Sequence, residues 1–122
     1  VLVVDDERFI RTLLSRMLAE LGLEVVGTAG DGQEAVTLCA DLRPDLVTLD
    51  IAMPGMDGLT ALNAILAENP AVAVVMSTSF GDKKYVAEAV RSGARGFLVK
   101  PFDLARIREK LEQIFPSPAA VL

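Results

Sequence analysis

The chain has no histidine and no tryptophan, a single cysteine, and an aromatic share of only 5%. Without histidine there is no imidazole acid–base chemistry and no His-ligated metal, which leaves oxygen ligands for hard cations. The lone cysteine, Cys39, excludes an internal disulfide framework. Ala35, Val36, Cys39 and Leu42 recur at helical spacing, so Cys39 reads as a small buried hydrophobe rather than a redox or metal group. No stretch reaches the ~20 apolar residues that span a bilayer, and no basic-then-apolar leader precedes the first strand. A soluble, cytoplasmic protein without membrane insertion is therefore expected. Positive charge is also scarce: 12 Lys and Arg face 17 Asp and Glu, for a net charge of −5. Phosphate contact needs clustered Lys and Arg, so nucleic acid is not expected as a direct partner. No Gly-rich phosphate loop follows the first strand, which argues against nucleotide binding.

What is present is a dense alternation of apolar runs and amphipathic segments over 122 residues, 52% of them apolar. One domain with one core is expected at this length, with Val, Leu, Ile and Ala filling it. Strands are predicted at Val1–Val4, Glu24–Ala29, Leu46–Asp50, Val72–Ser77 and Gly96–Val99. Several are nearly continuous apolar runs, as in parallel strands covered on both faces. The first helix carries an unbroken stripe of Ile10, Leu13, Leu14, Met17, Leu18 and Leu21, and Gly22 ends it. The second runs from about Gln33 to Leu42, stopping before Pro44. The third presents Leu59, Leu62, Ile65 and Leu66 and ends by Asn69-Pro70. A fourth, capped by Asp82 and closed by Gly93, sets Tyr85, Val86, Ala89 and Val90 on one face. The last starts at Asp103 with Leu104, Ile107, Leu111 and Ile114 inward.

Five β–α units with short connections predict an α/β fold, a flavodoxin-like (βα)5 three-layer sandwich. Right-handed crossovers leave few topologies, and the favoured parallel order is 2-1-3-4-5, as known from flavodoxin. The domain is expected over residues 1–115, with 116–122 a C-terminal tail or the start of a linker.

In an open parallel sheet, ligands collect beyond the carboxyl ends of the strands. The residues predicted there are Asp5-Asp6 after the first strand, Asp50 after the third, Ser77-Thr78-Ser79 after the fourth and Lys100-Pro101 after the fifth. A single Asp after a strand is ordinarily a helix cap. Two adjacent Asp with a third from a neighbouring strand repel unless a cation sits between them. One lysine cannot balance three carboxylates; Mg²⁺, or Mn²⁺, can, and it keeps several waters in an open site.

The segments Val-Val-Asp5-Asp6-Glu7, Leu49-Asp50-Ile-Ala-Met53-Pro54-Gly-Met-Asp57-Gly58, Thr78, and Gly96-Phe97-Leu-Val-Lys100-Pro101-Phe102 resemble the hallmarks of response-regulator receiver domains. They stand in that family's order and spacing, and the chain is most similar to stand-alone, chemotaxis-type receivers. The resemblance implies that Asp50 accepts a phosphoryl group from a histidine kinase or phosphotransfer domain. It makes Asp6 a direct Mg²⁺ ligand, Asp5 a neighbour acting largely through water, and Ala52 a ligand through its backbone carbonyl. Lys100 and Thr78 would contact phosphoryl oxygens, Pro101 would follow a cis peptide bond, and Phe97 would follow Thr78 as a switch aromatic. Such a protein is a switch, not an enzyme beyond its own phosphorylation and slow dephosphorylation.

Ser77 and Ser79 compete with Thr78 on residue type alone. Ala52 and Phe80 flank the path of a hydrolytic water without offering it a hydrogen bond, which implies slow dephosphorylation. Arg91, Arg95, Arg106 and Lys110 give the face of the fourth helix, fifth strand and fifth helix a basic bias. A downstream target or a dimer mate would meet it there. Phe9 lies off the first helix's apolar stripe, and it and Phe102 are expected beside the acidic pocket. Two other readings remain: the receiver part of a larger regulator with a DNA-binding or methylesterase output, and an Asp-nucleophile phosphatase. The phosphatase normally spaces its acid pair by two residues at the first strand, whereas Asp5 and Asp6 are adjacent.

Overall fold

Short β-branched runs close as strands wherever both faces find helices to cover them, and the order of elements follows. The computed structural model describes residues 1–79 and 83–115. It contains β1 (Leu2–Val4), α1 (Arg8–Glu20), β2 (Gly27–Ala29), α2 (Gly32–Leu42), β3 (Leu46–Asp50), α3 (Gly58–Glu68), β4 (Ala73–Thr78), α4 (Lys83–Ser92), β5 (Gly96–Val99) and α5 (Leu104–Ile114). The strands form one parallel sheet in the order β2-β1-β3-β4-β5. Asp82, Phe80 and the tail 116–122 lie outside the described residues.

Alternation along each strand sorts the core into two layers. On one side Leu2, Val4, Val47, Leu49, Val74 and Met76 meet Ala35 of α2, Ala61, Leu62 and Ile65 of α3 and Ala89 of α4. On the other, Val3, Leu46, Ala73, Val75 and Leu98 meet Leu14 and Leu18 of α1 and Ile107 of α5. The α1 stripe is thus the expected one, with Leu14 and Leu18 at its buried centre.

Three expectations change in detail. β2 is limited to Gly27–Ala29, because it is an edge strand and its only partner, β1, offers three residues in register. β4 runs one residue later than expected, so that Thr78 pairs with Val99 inside the sheet. The inward face of α4 is narrower than its periodicity suggested: Ala89 is buried and Val86 half-buried, whereas Tyr85 and Val90 are 47% and 56% exposed. Each of those two stands one residue, about 100° of helix, from the Val86–Ala89 stripe and clears the neighbouring α3. Cys39 is half-buried against the α2–α3 layer, and burial followed by the nearby Glu68 pushes its thiol up to about 11. It is protonated and unreactive at neutral pH.

Helix ends are set by named groups. Asp31, Asp57 and Asp103 each accept backbone N–H bonds at the starts of α2, α3 and α5. Gly22 and Gly93, with φ of +90° and +111°, turn the chain after α1 and α4. Arg43 takes the same left-handed role after α2 at φ 47° without being glycine.

Gly58 matters for a different reason. A Cβ there would overlap the carbonyl oxygen of Asp50 and come within 2.7 Å of Ile51 Cα. The close approach seats the N-terminus of α3 against the end of β3, and Gly58 N donates to Ile51 O at 3.0 Å. Gly58→Ala is expected to cost ~1–3 kcal/mol through backbone overlap and to lower Tm by roughly 4–15 °C. A thermal melt unchanged from wild type would show that the loop yields freely.

Candidate functional site

The carboxyl ends of β1, β3 and β5 converge, and they carry charge where the rest of each strand is apolar. Asp5 and Asp50 continue the alternation of Val3 and of Leu46 and Thr48, so both project on the α1/α5 side of the sheet. They are 1% and 3% exposed, whereas Asp6 faces solvent. Lys100, two residues beyond the buried Leu98, reaches across from the β5 end. Its Nζ lies 2.8 Å from Asp5 Oδ2 and 3.5 Å from Asp50 Oδ2. The Lys100–Pro101 peptide bond is cis.

Backbone groups complete the coordination. Asp5 Oδ1 accepts from Glu7 N at 2.9 Å, and Asp50 Oδ1 accepts from Ala52 N at 3.3 Å. Arg11 donates from Nη1 to the carbonyl oxygen of Asp5 at 2.8 Å, tying the first turn of α1 to the end of β1. Arg11 was not singled out by its sequence position. Its only signal was a cation placed one and a half turns after an acidic pair.

Electrostatics in the pocket are unbalanced. Burial first, and then the Asp5 charge, push the Asp50 carboxyl from 3.8 up to about 7, against the opposing pull of Lys100 and the Ala52 N–H. Burial alone would lower the Lys100 ammonium, but the hydrogen bond to Asp5 and the charge of Asp50 outweigh it and raise its pKa. Three carboxylates against one ammonium leave the pocket with a formal charge of −2 when all are ionised. One oxygen from each of Asp5, Asp6 and Asp50 lies within 4.8 Å of the others. Asp5 Oδ2 is buried, and the Lys100 ammonium is its partner in the pocket. An all-oxygen, net-negative cluster with one solvent-facing member matches what a hard divalent cation requires.

Thr78 stands apart from this group. It follows Val74 and Met76 onto the α4 side, and its hydroxyl donates to the Ser79 carbonyl at 3.2 Å. Phe97 shares that face, half-buried against the same layer. Ser77, in register with Asp50, falls instead on the Asp50 side. Ala52 is exposed at the pocket rim, and Phe9 of α1 is 73% exposed.

The profile of the response regulator receiver domain matches residues 1–112. The chain belongs to the response-regulator receiver family. A chemotaxis protein CheY of Listeria monocytogenes is 44% identical over 92% of this chain and 94% of its own length. The transcriptional regulatory protein PdtaR of Mycobacterium tuberculosis is also 44% identical, but this chain spans only 54% of it. Among solved structures, the CheX–CheY–BeF3–Mg complex from Borrelia burgdorferi matches with a TM-score of 0.89 at 36% identity, over 95% of this chain and 88% of that one. The receiver is therefore a signalling module of two-component systems, of a kind found both alone and within larger regulators. It is a switch and not a classical enzyme. Among the described residues, no helix is long and apolar enough to cross a membrane.

The imbalance in the pocket has a measurable sign. Folding raises the Asp50 pKa from 3.8 to about 7, so the native protein holds a proton that the unfolded chain releases. Its contribution to stability is full below the unfolded value and is lost as pH rises through the folded one. Asp50→Asn cannot ionise. In EDTA it is expected to melt above wild type at about pH 8, with the gap closing as pH falls toward about 4. A variant less stable than wild type at alkaline pH would contradict this account of the site.

Proposed function

We propose that Asp50 is the phospho-acceptor of a two-component switch, supplied by a phosphohistidine on a kinase or phosphotransfer domain. The observation that carries this reading is the buried Asp50 carboxylate, held among Asp5, Asp6 and Lys100 at the switch-point edge of the sheet. The ionised carboxylate attacks phosphorus; an O–P bond forms, the P–N bond to the donor imidazole breaks, and the imidazole leaves with its electron pair. Asp5, Asp6, Asp50 and the Ala52 carbonyl would hold Mg²⁺ or Mn²⁺, which when bound neutralises charge on the transferring phosphoryl group. Lys100 is poised to follow the charge onto a phosphoryl oxygen. Catalysis by the chain goes no further than loading and unloading its own aspartate, in the cytoplasm.

The added charge of about −1.5 to −2 is the signal. It attracts Lys100 from the Asp50 side and the Thr78 hydroxyl from the far side of β4. Thr78 moving toward the phosphoryl group vacates space on the face where Phe97 is half-buried, so the ring follows it inward. Moving such an equilibrium from 1:99 to 99:1 requires ~5.5 kcal/mol of differential contact. The readout surface is the α4–β5–α5 face, whose elements carry the exposed Val90 and Val99 together with Arg91, Arg95 and Arg106. An apolar patch with a basic rim suits a target protein or a second copy of the domain.

Incubation with acetyl phosphate and Mg²⁺ is expected to add one phosphoryl group to the wild type and none to Asp50→Asn, by intact mass. Equal labelling of both would remove Asp50 from the role. Ala52 offers no side-chain hydrogen bond to an attacking water at the rim. Ala52→Asn or Phe80→Glu is therefore expected to speed loss of the phosphoryl group by roughly tenfold, below the 10²–10⁴ of a full general base. Decay rates indifferent to both changes would refute the shielding role.

A further inference from the structure

Two hydroxyls sit behind Asp50 in a layer that is largely hydrocarbon. Thr48 and Ser77 are each 1% exposed, and neither hydroxyl makes a hydrogen bond with another described residue. Their surroundings on the α1/α5 side are Val3, Leu14, Leu18, Leu46, Val75, Leu98 and Ile107. Valine and alanine would fill such positions without an unmade hydrogen bond, so the hydroxyls cost stability where they stand.

Their placement relative to the reacting group is specific. Ser77 is in register with Asp50 on the neighbouring strand, and Thr48 precedes Asp50 by two residues on the same face. Ser77 is also in register with Leu98, which precedes Lys100 by two. The serine thus lies between the strand that carries Asp50 and the strand that delivers Lys100. Both oxygens of the resting carboxylate are already engaged, Oδ1 by Ala52 N and Oδ2 by Lys100. The two hydroxyls have nothing to do until Lys100 moves.

We infer that Ser77, assisted by Thr48, supports Asp50 as the leaving carboxylate when the acyl phosphate breaks down. The inference rests on the reading of Asp50 as phospho-acceptor. Once Lys100 has turned to the phosphoryl group, the non-bridging carboxyl oxygen of Asp50 loses the ammonium partner it has at rest. A rotation about the Ser77 side-chain torsion brings a neutral donor to it. Thr48, two residues before Asp50 on the same face, would support the Ser77 hydroxyl from behind. In hydrolysis, water oxygen bonds to phosphorus and the P–O bond to Asp50 breaks. The carboxylate departs with the electron pair, and the water's proton passes to phosphate and solvent. Negative charge grows on the carboxylate as that bond breaks, so a hydrogen bond behind it is stronger in the transition state than in the acyl phosphate. The hydroxyls therefore shorten the life of the phosphorylated state.

The test follows loss of the phosphoryl group by intact mass after acetyl phosphate is removed, in excess Mg²⁺, beside thermal melts of the metal-free proteins. Ser77→Ala and Thr48→Val are expected to melt at or above wild type, because no protein hydrogen bond is lost. Each should lengthen the half-life by about 3- to 10-fold, below the full effect of an oxyanion-hole donor. Ser77→Thr and Thr48→Ser keep the hydroxyl and should stay within about twofold of wild type. Unchanged or shorter half-lives in the alanine and valine variants would overturn the inference. So would lower melting temperatures with unchanged half-lives, which would assign the hydroxyls to the fold alone. If wild type takes up no phosphoryl group, the reading of Asp50 falls and this inference with it; label on wild type with equal decay in all variants removes only the latter.

Discussion

The ammonium of Lys100 between the carboxylates of Asp5 and Asp50 is the contact on which the pocket depends. It joins the ends of β1, β3 and β5 through one cation. Two buried carboxylates on adjacent strands would otherwise force at least one to stay protonated or the strand ends to separate. Lys100 relieves only part of that repulsion, and burial first, then the Asp5 charge, still hold the Asp50 carboxyl up at about 7. The residual charge gives the site its appetite for a divalent cation. On the proposed function the same lysine would move, because its second partner is the residue that would change charge.

The sheet order makes this convergence possible. β1 and β3 are neighbours at the centre, so Asp5 and Asp50 end side by side, and β5 is separated from β3 only by β4. The order of strands reverses at β1, the place where open parallel sheets leave a crevice beyond the strand carboxyl ends. Gly58 lets α3 start directly on the Asp50 backbone, and Arg11 pins α1 to the Asp5 carbonyl. The acidic cluster is therefore tied to backbone placed from both layers, although Asp5, Asp6 and Lys100 stand just beyond the strand ends.

Much of this was legible because it is written in periodicities and end residues. Period-two and helical apolar patterns marked every element and the α/β class. The pile-up of Asp5, Asp6, Asp50 and Lys100 at strand ends marked the edge where they meet. Other features follow from packing, which a linear pattern does not contain. Tyr85 and Val90 read as inward from helical phase, yet α4 has a neighbour along only one narrow stripe and leaves them outside. Glu24–Val26 have strand composition but no partner strand long enough to pair with. Ser77 and Thr78 were interchangeable as residue types. Only the register of β4 against β3 and β5 puts one hydroxyl on the Asp50 side and the other on the Phe97 side.

That division gives β4 its place in the mechanism. The α1/α5 side of the sheet holds the charges, and the α4 side holds the half-buried Phe97 and the exposed patch beyond it. A change confined to Asp50 reaches the second side only by crossing the sheet, and β4 is the strand between Asp50 and Phe97. Its last two residues carry hydroxyls on opposite faces, so one backbone end can be pulled from either. Packed layers are bistable rather than continuously deformable, which converts a small pull at Thr78 into a discrete ring position. On the proposed function, duration and direction of the signal would fall to neighbouring residues of one strand. Ser77 would act on how long the acyl phosphate lasts, and Thr78 on what the far face shows while it does.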